Sequence, residues 1–71
     1  MVERKDIAVK VREALETLPE SQRVVVQLHR YEEFTFEEIA QMLGSTEGAV
    51  KLRAFRAYEK LRERLAPLLA G

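Results

Sequence analysis

Residues 35–64 read TFEEIAQMLGSTEGAVKLRAFRAYEKLRER and predict two helices joined by a tight turn. The first helix is short, and its apolar residues recur with helical spacing at Ile39, Ala40 and Leu43. Gly44 follows, and glycine tolerates the positive φ that ends a helix and turns the chain sharply. The second helix begins near Thr46 and ends at about Ala66. Two helices joined by a glycine-containing turn form a helix-turn-helix, whose second helix enters the major groove of DNA.

Both predicted helices of this motif begin with capping residues. Thr35-Phe-Glu-Glu38 is a capping-box pattern, so Thr35 caps the first helix and the Glu38 side chain reaches back to it. Ser45 or Thr46 caps the second helix. Ala40 is small, which lets the second helix cross closely over the first. Each helix start also offers unbonded N–H groups and the positive end of a helix dipole to a phosphate.

The second helix has two unlike sides when each residue is placed 100° further round its axis. One side holds the apolar residues Val50, Ala54, Ala57, Leu61 and Leu65. The opposite arc holds Lys51, Leu52, Phe55, Arg56, Glu59 and Arg62. Lysine and arginine reach phosphates or guanine edges, and leucine or phenylalanine contacts a thymine methyl group. The arc by itself therefore leaves two interpretations open, a DNA-reading surface and a solvated helix face of mixed charge.

The residues before the motif predict two more helices, and the whole chain is read as one all-α domain of four helices (residues 1–71, motif at about 35–64). Residues 1–4 are expected to form a flexible tail. The first helix runs from Lys5 to about Leu18, with an apolar stripe at Ile7, Val11, Ala14, Leu15 and Leu18. Pro19 ends this helix and opens the next, which runs to about Tyr31 despite a β-branched run at residues 24–26. His29 is expected to be a partly exposed residue of that helix.

Charge is balanced over the chain but not along it. The 71 residues hold 12 basic and 12 acidic side chains. Residues 1–44 have six basic and nine acidic ones, whereas residues 45–71 have six basic and three acidic ones. A nucleic-acid surface is a local patch rather than a global sum, so the basic C-terminal helix is compatible with DNA binding.

The sequence contains few features of enzymes, metal sites or membrane spans. There is no cysteine and no ligand spacing typical of a metal site. Ser21 and Ser45 are interpreted as helix caps rather than nucleophiles, so we expect no enzyme, no cofactor and no small-molecule substrate. No apolar run approaches the length of a membrane span, which predicts a soluble cytoplasmic chain without a membrane partner. The chain is either a domain cut from a longer protein or a naturally short one.

Several segments, in this order and spacing, carry a family resemblance: residues 18–23 (LPESQR), 34–44 (FTFEEIAQMLG), 48–51 (GAVK) with Arg53, 55–57 (FRA) and Leu61. From about Ala14 to Pro67 the chain resembles region 4 of bacterial sigma factors, in particular the extracytoplasmic-function group. The resemblance implies a four-helix domain whose recognition helix reads the −35 element of double-stranded promoter DNA. It also implies docking on the flap of the RNA polymerase β subunit and, in many members, sequestration by an anti-sigma factor.

Carried over by position, the resemblance implies base contacts by Lys51, Leu52, Phe55 and Arg56. Phosphate contacts are expected at Arg23, Thr35, Thr46, Gly48 and Arg53. For the two arginines the alternative is a structural salt bridge, for instance with Glu37 or Glu38. The chain departs from the family pattern where Glu33 replaces a frequent glycine, Ala49 a frequent threonine, Leu52 a small hydroxyl residue and Tyr58 a frequent arginine.

Two other functions remain open at this stage. The helix-turn-helix output domains of two-component or quorum-sensing regulators share the four-helix layout, and such a domain would bind a palindrome as a dimer. A protein-interaction module would instead bind polymerase or an anti-sigma factor with little DNA contact, which the near-neutral charge allows. A steep salt dependence of duplex binding would count against the interaction module, because counterion release follows phosphate contacts.

Overall fold

The computed structural model describes the backbone of residues 4–70 and the side chains of residues 4–67. This range holds four α-helices, α1 (Arg4–Glu16), α2 (Glu20–Val26), α3 (Phe36–Leu43) and α4 (Glu47–Ala70), with a π-helical segment, Gln27–Tyr31, directly after α2. Residues 4–70 contain no strand, and the predicted all-α fold with a C-terminal helix-turn-helix is confirmed. Residues 1–3 of the expected flexible tail lie outside the described residues, and Arg4 is already helical. No helix in the described part of the chain is long and apolar enough to cross a membrane.

The first helix ends earlier than predicted, at Glu16 rather than at Leu18. The backbone amide of Thr17 donates to the Ala14 carbonyl at 3.1 Å, and its Oγ1 donates to the same carbonyl at 2.6 Å. Leu18 precedes Pro19, and a residue before a proline is disfavoured in the α conformation. The chain therefore leaves α1 in a turn that the threonine side chain closes.

The predicted second helix is divided into two geometries. α2 covers its first part and follows Pro19, which lies at the N-cap with extended backbone. The remainder is π-helical, and the Glu32 amide donates to the Gln27 carbonyl, five residues back, at 3.1 Å. The predicted helical extent to about Tyr31 and the helical interpretation of the β-branched run are therefore confirmed, but residues 27–31 are π-helical rather than α-helical.

The last helix continues past its predicted end at about Ala66. α4 reaches Ala70 with Pro67 inside it. A proline within a helix removes the hydrogen bond to the carbonyl four residues back. That residue is Glu63, which is exposed, so water can satisfy its carbonyl oxygen. The side chains of residues 68–70 lie outside the described side chains.

α4 packs against the other three helices, and the core lies where they meet. One buried cluster joins α2, α3 and α4 and consists of Val25, Ile39, Ala40, Val50 and Ala54. A second cluster consists of Leu18, Val26 and Ala57, and Tyr58 packs against both. The predicted inner side of α4 is therefore confirmed, and Ala40 lies in the same cluster as the α4 residues. The stripe of α1 is only partly buried, since Ile7 at its start is 38% exposed.

Candidate nucleic-acid interface

A complete capping box closes the start of α3. Thr35 Oγ1 accepts a hydrogen bond from the Glu38 amide at 3.1 Å, and the Thr35 amide donates to Glu38 Oε1 at 2.9 Å, as the sequence predicted. The backbone bond from Thr35, followed by the bond to its side chain, lowers the pKa of the Glu38 carboxyl below its ordinary value. The amides of Phe36 and Glu37 are left for an outside acceptor. Because Glu37 and Glu38 add two carboxylates to this turn, it is an unfavourable place for a second anion.

The turn (residues 44–46) leaves α3 through a left-handed residue, Gly44, with φ 63° and ψ 38°. The Gly44 amide donates to the Gln41 carbonyl at 3.4 Å, and the Ser45 amide donates to the Ala40 carbonyl at 2.8 Å. This pair of bonds is the Schellman pattern, which satisfies carbonyls at a helix end. The predicted role of Gly44 is confirmed.

Thr46 caps α4, because its Oγ1 accepts from the Ala49 amide at 3.1 Å. The amides of Glu47 and Gly48 are left for an outside acceptor. Gly48 is exposed, and a Cβ added to it would meet no protein atom within 4 Å. The start of α4 therefore leaves space for a phosphate next to its backbone.

The outer side of α4 brings together all four residues expected to contact bases. Leu52 and Phe55 are 47% and 60% exposed, and Arg56 is exposed beside them. Lys51 is exposed as well, and its Nζ lies 3.2 Å from Glu47 Oε1. Sequence reasoning missed Glu47 as a member of this surface, although a glutamate four residues before a lysine on a helix is the pattern that indicates such a pair.

The two arginines expected at phosphates are half-buried, Arg23 in α2 and Arg53 in α4. The ion pairs among the side chains of residues 4–67 are Lys10–Glu13 and Lys51–Glu47. Within this range, neither arginine forms the alternative salt bridge with Glu37 or Glu38. Their guanidinium groups therefore form no ion pair with the described side chains and can bind an outside anion.

The connector (residues 32–35) between the π-helical segment and α3 contains a second left-handed residue. Glu33 has φ 62°, a conformation that favours glycine. His29 Nδ1 lies 2.9 Å from the Phe34 carbonyl oxygen, and the histidine ring stacks on Phe36 with centroids 4.1 Å apart. His29 is half-buried, close to expectation, but its contacts were not predicted because they depend on the π-helical geometry.

An open groove lies between α1 and the segment formed by α2, the π-helical residues and the connector. Its volume is about 840 Å³. The lining is apolar at Ala8, Val11, Leu15, Val24, Leu28, Tyr31 and Phe34, and polar at Arg12, Gln27 and Glu32. No lining residue comes from α3 or α4, so the groove and the outer side of α4 are separate surfaces.

A four-helix fold with a helix-turn-helix is what the resemblance implied, and the comparison with known families agrees. Residues 8–61 match the family described as sigma-70, region 4. The chain belongs to this family. The expected resemblance is confirmed, and it takes precedence over the output domain of a two-component or quorum-sensing regulator. Region 4 is a regulatory DNA-binding domain rather than an enzyme.

Curated relatives carry names of the same kind. The chain is 46% identical over 56 residues to the RNA polymerase sigma factor CarQ of Myxococcus xanthus, covering 79% of this chain and 32% of the relative. It is 35% identical over 66 residues to the RNA polymerase sigma-H factor of Pseudomonas aeruginosa, covering 93% and 34%. It is 34% identical over 55 residues to the ECF RNA polymerase sigma-E factor of Escherichia coli, covering 78% and 29%. The chain spans about a third of the length of these relatives.

Proposed function

We propose that this domain recognises the −35 element of double-stranded promoter DNA by inserting the first turns of α4 into the major groove. The observation that carries the proposal is the outer side of α4, where Leu52 and Phe55 are exposed beside Arg56 on the second helix of a helix-turn-helix. Large apolar side chains that the core does not use suit contacts with another molecule. The names of the relatives support a role in transcription initiation.

The four base-contacting residues have different roles in this proposal. Arg56 forms no ion pair among the described side chains, and its guanidinium donates to guanine O6 and N7. Leu52 and Phe55 contact thymine methyl groups, since neither can donate a hydrogen bond from its side chain. Lys51 must exchange Glu47 for a base edge or a phosphate, so its net contribution to affinity is smaller than that of Arg56.

Phosphate contacts fix the register of the helix on the duplex. The start of α4 is the strongest candidate, because the amides of Glu47 and Gly48 are free and Thr46 closes the turn behind them. Arg23 and Arg53 contact further phosphates. Thr35 has a weaker part, since its amide and its hydroxyl group already bind Glu38 in the capping box.

RNA polymerase is the proposed protein partner, with the flap of its β subunit in the groove between α1 and α2. The apolar lining suits an apolar segment, and the separation of the groove from α4 allows polymerase and DNA to bind at once. An anti-sigma factor that covers the same groove would compete with polymerase. A function on polymerase implies a cytoplasmic location, because bacterial transcription takes place there.

The test of DNA reading is a fluorescence-anisotropy titration of −35-type and random duplexes at two salt concentrations. Arg56→Ala should weaken binding to the −35-type duplex that the parent binds most tightly by about 1–3 kcal/mol, and binding to random duplex should fall less. Arg64→Ala is the matched control, because it removes the same charge from an exposed position eight residues further along α4. Its loss should be small and equal for both duplexes.

The outcomes separate the proposal from its alternative. If Arg56→Ala binds both duplexes as the parent does, the base-contact assignment is wrong. If the parent binds every duplex alike and shows little salt dependence, the protein-interaction alternative is favoured.

A second pair of variants tests the groove. Ala8→Glu adds a charge to the groove lining, whereas Val9→Glu adds the same charge to an exposed neighbour outside the lining. Only Ala8→Glu should weaken binding to the isolated β-subunit flap in calorimetry, and neither should change the selectivity for duplexes. Equal flap affinities for the two variants would exclude the groove as the docking site.

A further inference from the structure

Hydrogen bonds at both the amide and the carbonyl of Phe34 join the connector to the π-helical segment. The Phe34 amide donates to the Leu28 carbonyl at 2.9 Å, six residues back. The Phe34 carbonyl oxygen lies 2.9 Å from His29 Nδ1. A carbonyl can only accept, so the histidine must carry its proton on Nδ1 and donate. Two successive residues of the π-helical segment therefore bind the two polar groups of Phe34.

The same histidine also contacts the first residue of α3. Its ring is stacked on Phe36, with centroids 4.1 Å apart and an interplanar angle of 17°. Phe36 packs against the core cluster that contains Ile39 and Val50. His29 therefore holds the residues on both sides of Thr35, the residue that caps α3.

We propose that His29 is a positioning residue for DNA recognition, which fixes Thr35 at the start of α3 and thereby the orientation of the helix-turn-helix. The physical reason is the strain in the connector: Glu33 has φ 62°, a conformation that costs an L-residue free energy and persists only where neighbouring bonds hold it. The hydrogen bond and the ring stack of His29 supply part of that restraint. α3 transmits this restraint, because Ile39 and Ala40 belong to the same buried cluster as Val50 and Ala54 of α4.

This proposal rests on the proposed function for its DNA part, so the test has one readout without DNA. Three variants divide the contacts of His29. His29→Asn keeps an N–H donor near the position of Nδ1 and loses the stack, His29→Phe keeps a ring and loses the donor, and His29→Ala loses both. Arg30→Lys is the control, because it keeps the charge of an exposed residue of the same π-helical segment that lies outside the groove lining.

The first readout is amide hydrogen exchange by NMR at a temperature at which circular dichroism shows every variant folded. In His29→Ala the Glu38 amide, which Thr35 caps, should exchange about three- to tenfold faster than in the parent, while the Val50 amide at the start of α4 changes little. His29→Asn should recover part of the protection. In the parent, the ring nitrogen shifts should report a proton on Nδ1.

The second readout is the affinity for the two duplexes of the DNA experiment. His29→Ala should lose about three- to tenfold in affinity for the −35-type duplex, with His29→Asn and His29→Phe between it and the parent. Unchanged Glu38 exchange in a folded His29→Ala variant would overturn the proposal, as would unchanged duplex affinity. A parent that reads no duplex would overturn the proposed function and the DNA part with it, and the exchange data would still decide whether His29 holds the cap.

Discussion

The connector before α3 and the turn after it each contain a residue with positive φ, but the two residues are chemically different. Glu33 has φ 62° and Gly44 has φ 63°. At Gly44 the residue type itself removes the cost, because glycine has no Cβ and adopts positive φ readily. At Glu33 the cost remains, and the surroundings compensate through the bonds of Glu32 to Gln27 and of Phe34 to Leu28 and His29. A positive φ can thus be specified by the residue at the position or by the residues around it.

The largest expected effect is at the turn. Gly44→Ala should destabilise the domain by about 1–2 kcal/mol in urea unfolding, since the left-handed conformation then carries the full cost of an L-residue. Crowding contributes nothing, because a Cβ there would meet no atom within 4 Å. Gly48→Ala is the matched control: it has equally open space but lies in α4, so alanine should stabilise it by about 0.5–1 kcal/mol. Equal effects of the two substitutions would mean that φ at Gly44 is not what matters.

The next effect is at the end of the connector. Thr35→Ala removes the side-chain half of the capping box and should cost about 1 kcal/mol of unfolding free energy in thermal melts. Thr46→Ala removes the single side-chain cap of α4, where no glutamate reaches back to the cap residue, and should cost less. A larger loss of stability for Thr46→Ala than for Thr35→Ala would contradict the larger contribution expected from the complete capping box of α3.

A smaller effect of opposite sign is expected at Glu33. Glu33→Gly should stabilise the domain by about 0.5–1 kcal/mol, because relief of the left-handed cost exceeds the entropy that glycine loses on folding. Glu33→Ala serves as the reference, since it removes the carboxylate and keeps the unfavourable φ. If both variants gain equally by chemical unfolding, charge rather than backbone conformation is responsible.

The smallest expected effect concerns how stability changes at acidic pH. The capping bonds from Thr35 lower the pKa of Glu38 from its ordinary value of 4.5, so its contribution to stability is present above that value. The contribution is lost as the pH falls through the lower pKa of the folded state. Glu38→Gln should therefore flatten the acid limb of a stability-versus-pH curve, whereas Glu37→Gln, which removes a carboxylate outside the capping box, should flatten it less. Identical curves for the two variants would refute the assignment.

Much of this architecture could be predicted because it depends on local rules. The capping box and Gly44 follow from residue type at fixed spacing, and the outer side of α4 follows from 100° per residue. The π-helical segment could not be predicted, since no local residue pattern distinguishes five residues of π-helix from α-helix. The contacts of His29 depend on that segment and were missed with it. The continuation of α4 past Pro67 was missed because one lost hydrogen bond at an exposed carbonyl does not end a helix.

The division of α4 into two sides has a consequence for how such a domain can evolve. Val50, Ala54 and Ala57 are at most 2% exposed and any change there disturbs the core, whereas Leu52 and Phe55 on the outer side are free of it. Exposed substitutions usually alter stability by less than about 0.5 kcal/mol. If α4 reads promoter DNA as proposed, a lineage can therefore change which promoters the helix prefers without first acquiring compensating mutations, and a duplicated copy can diverge in target while it folds as before.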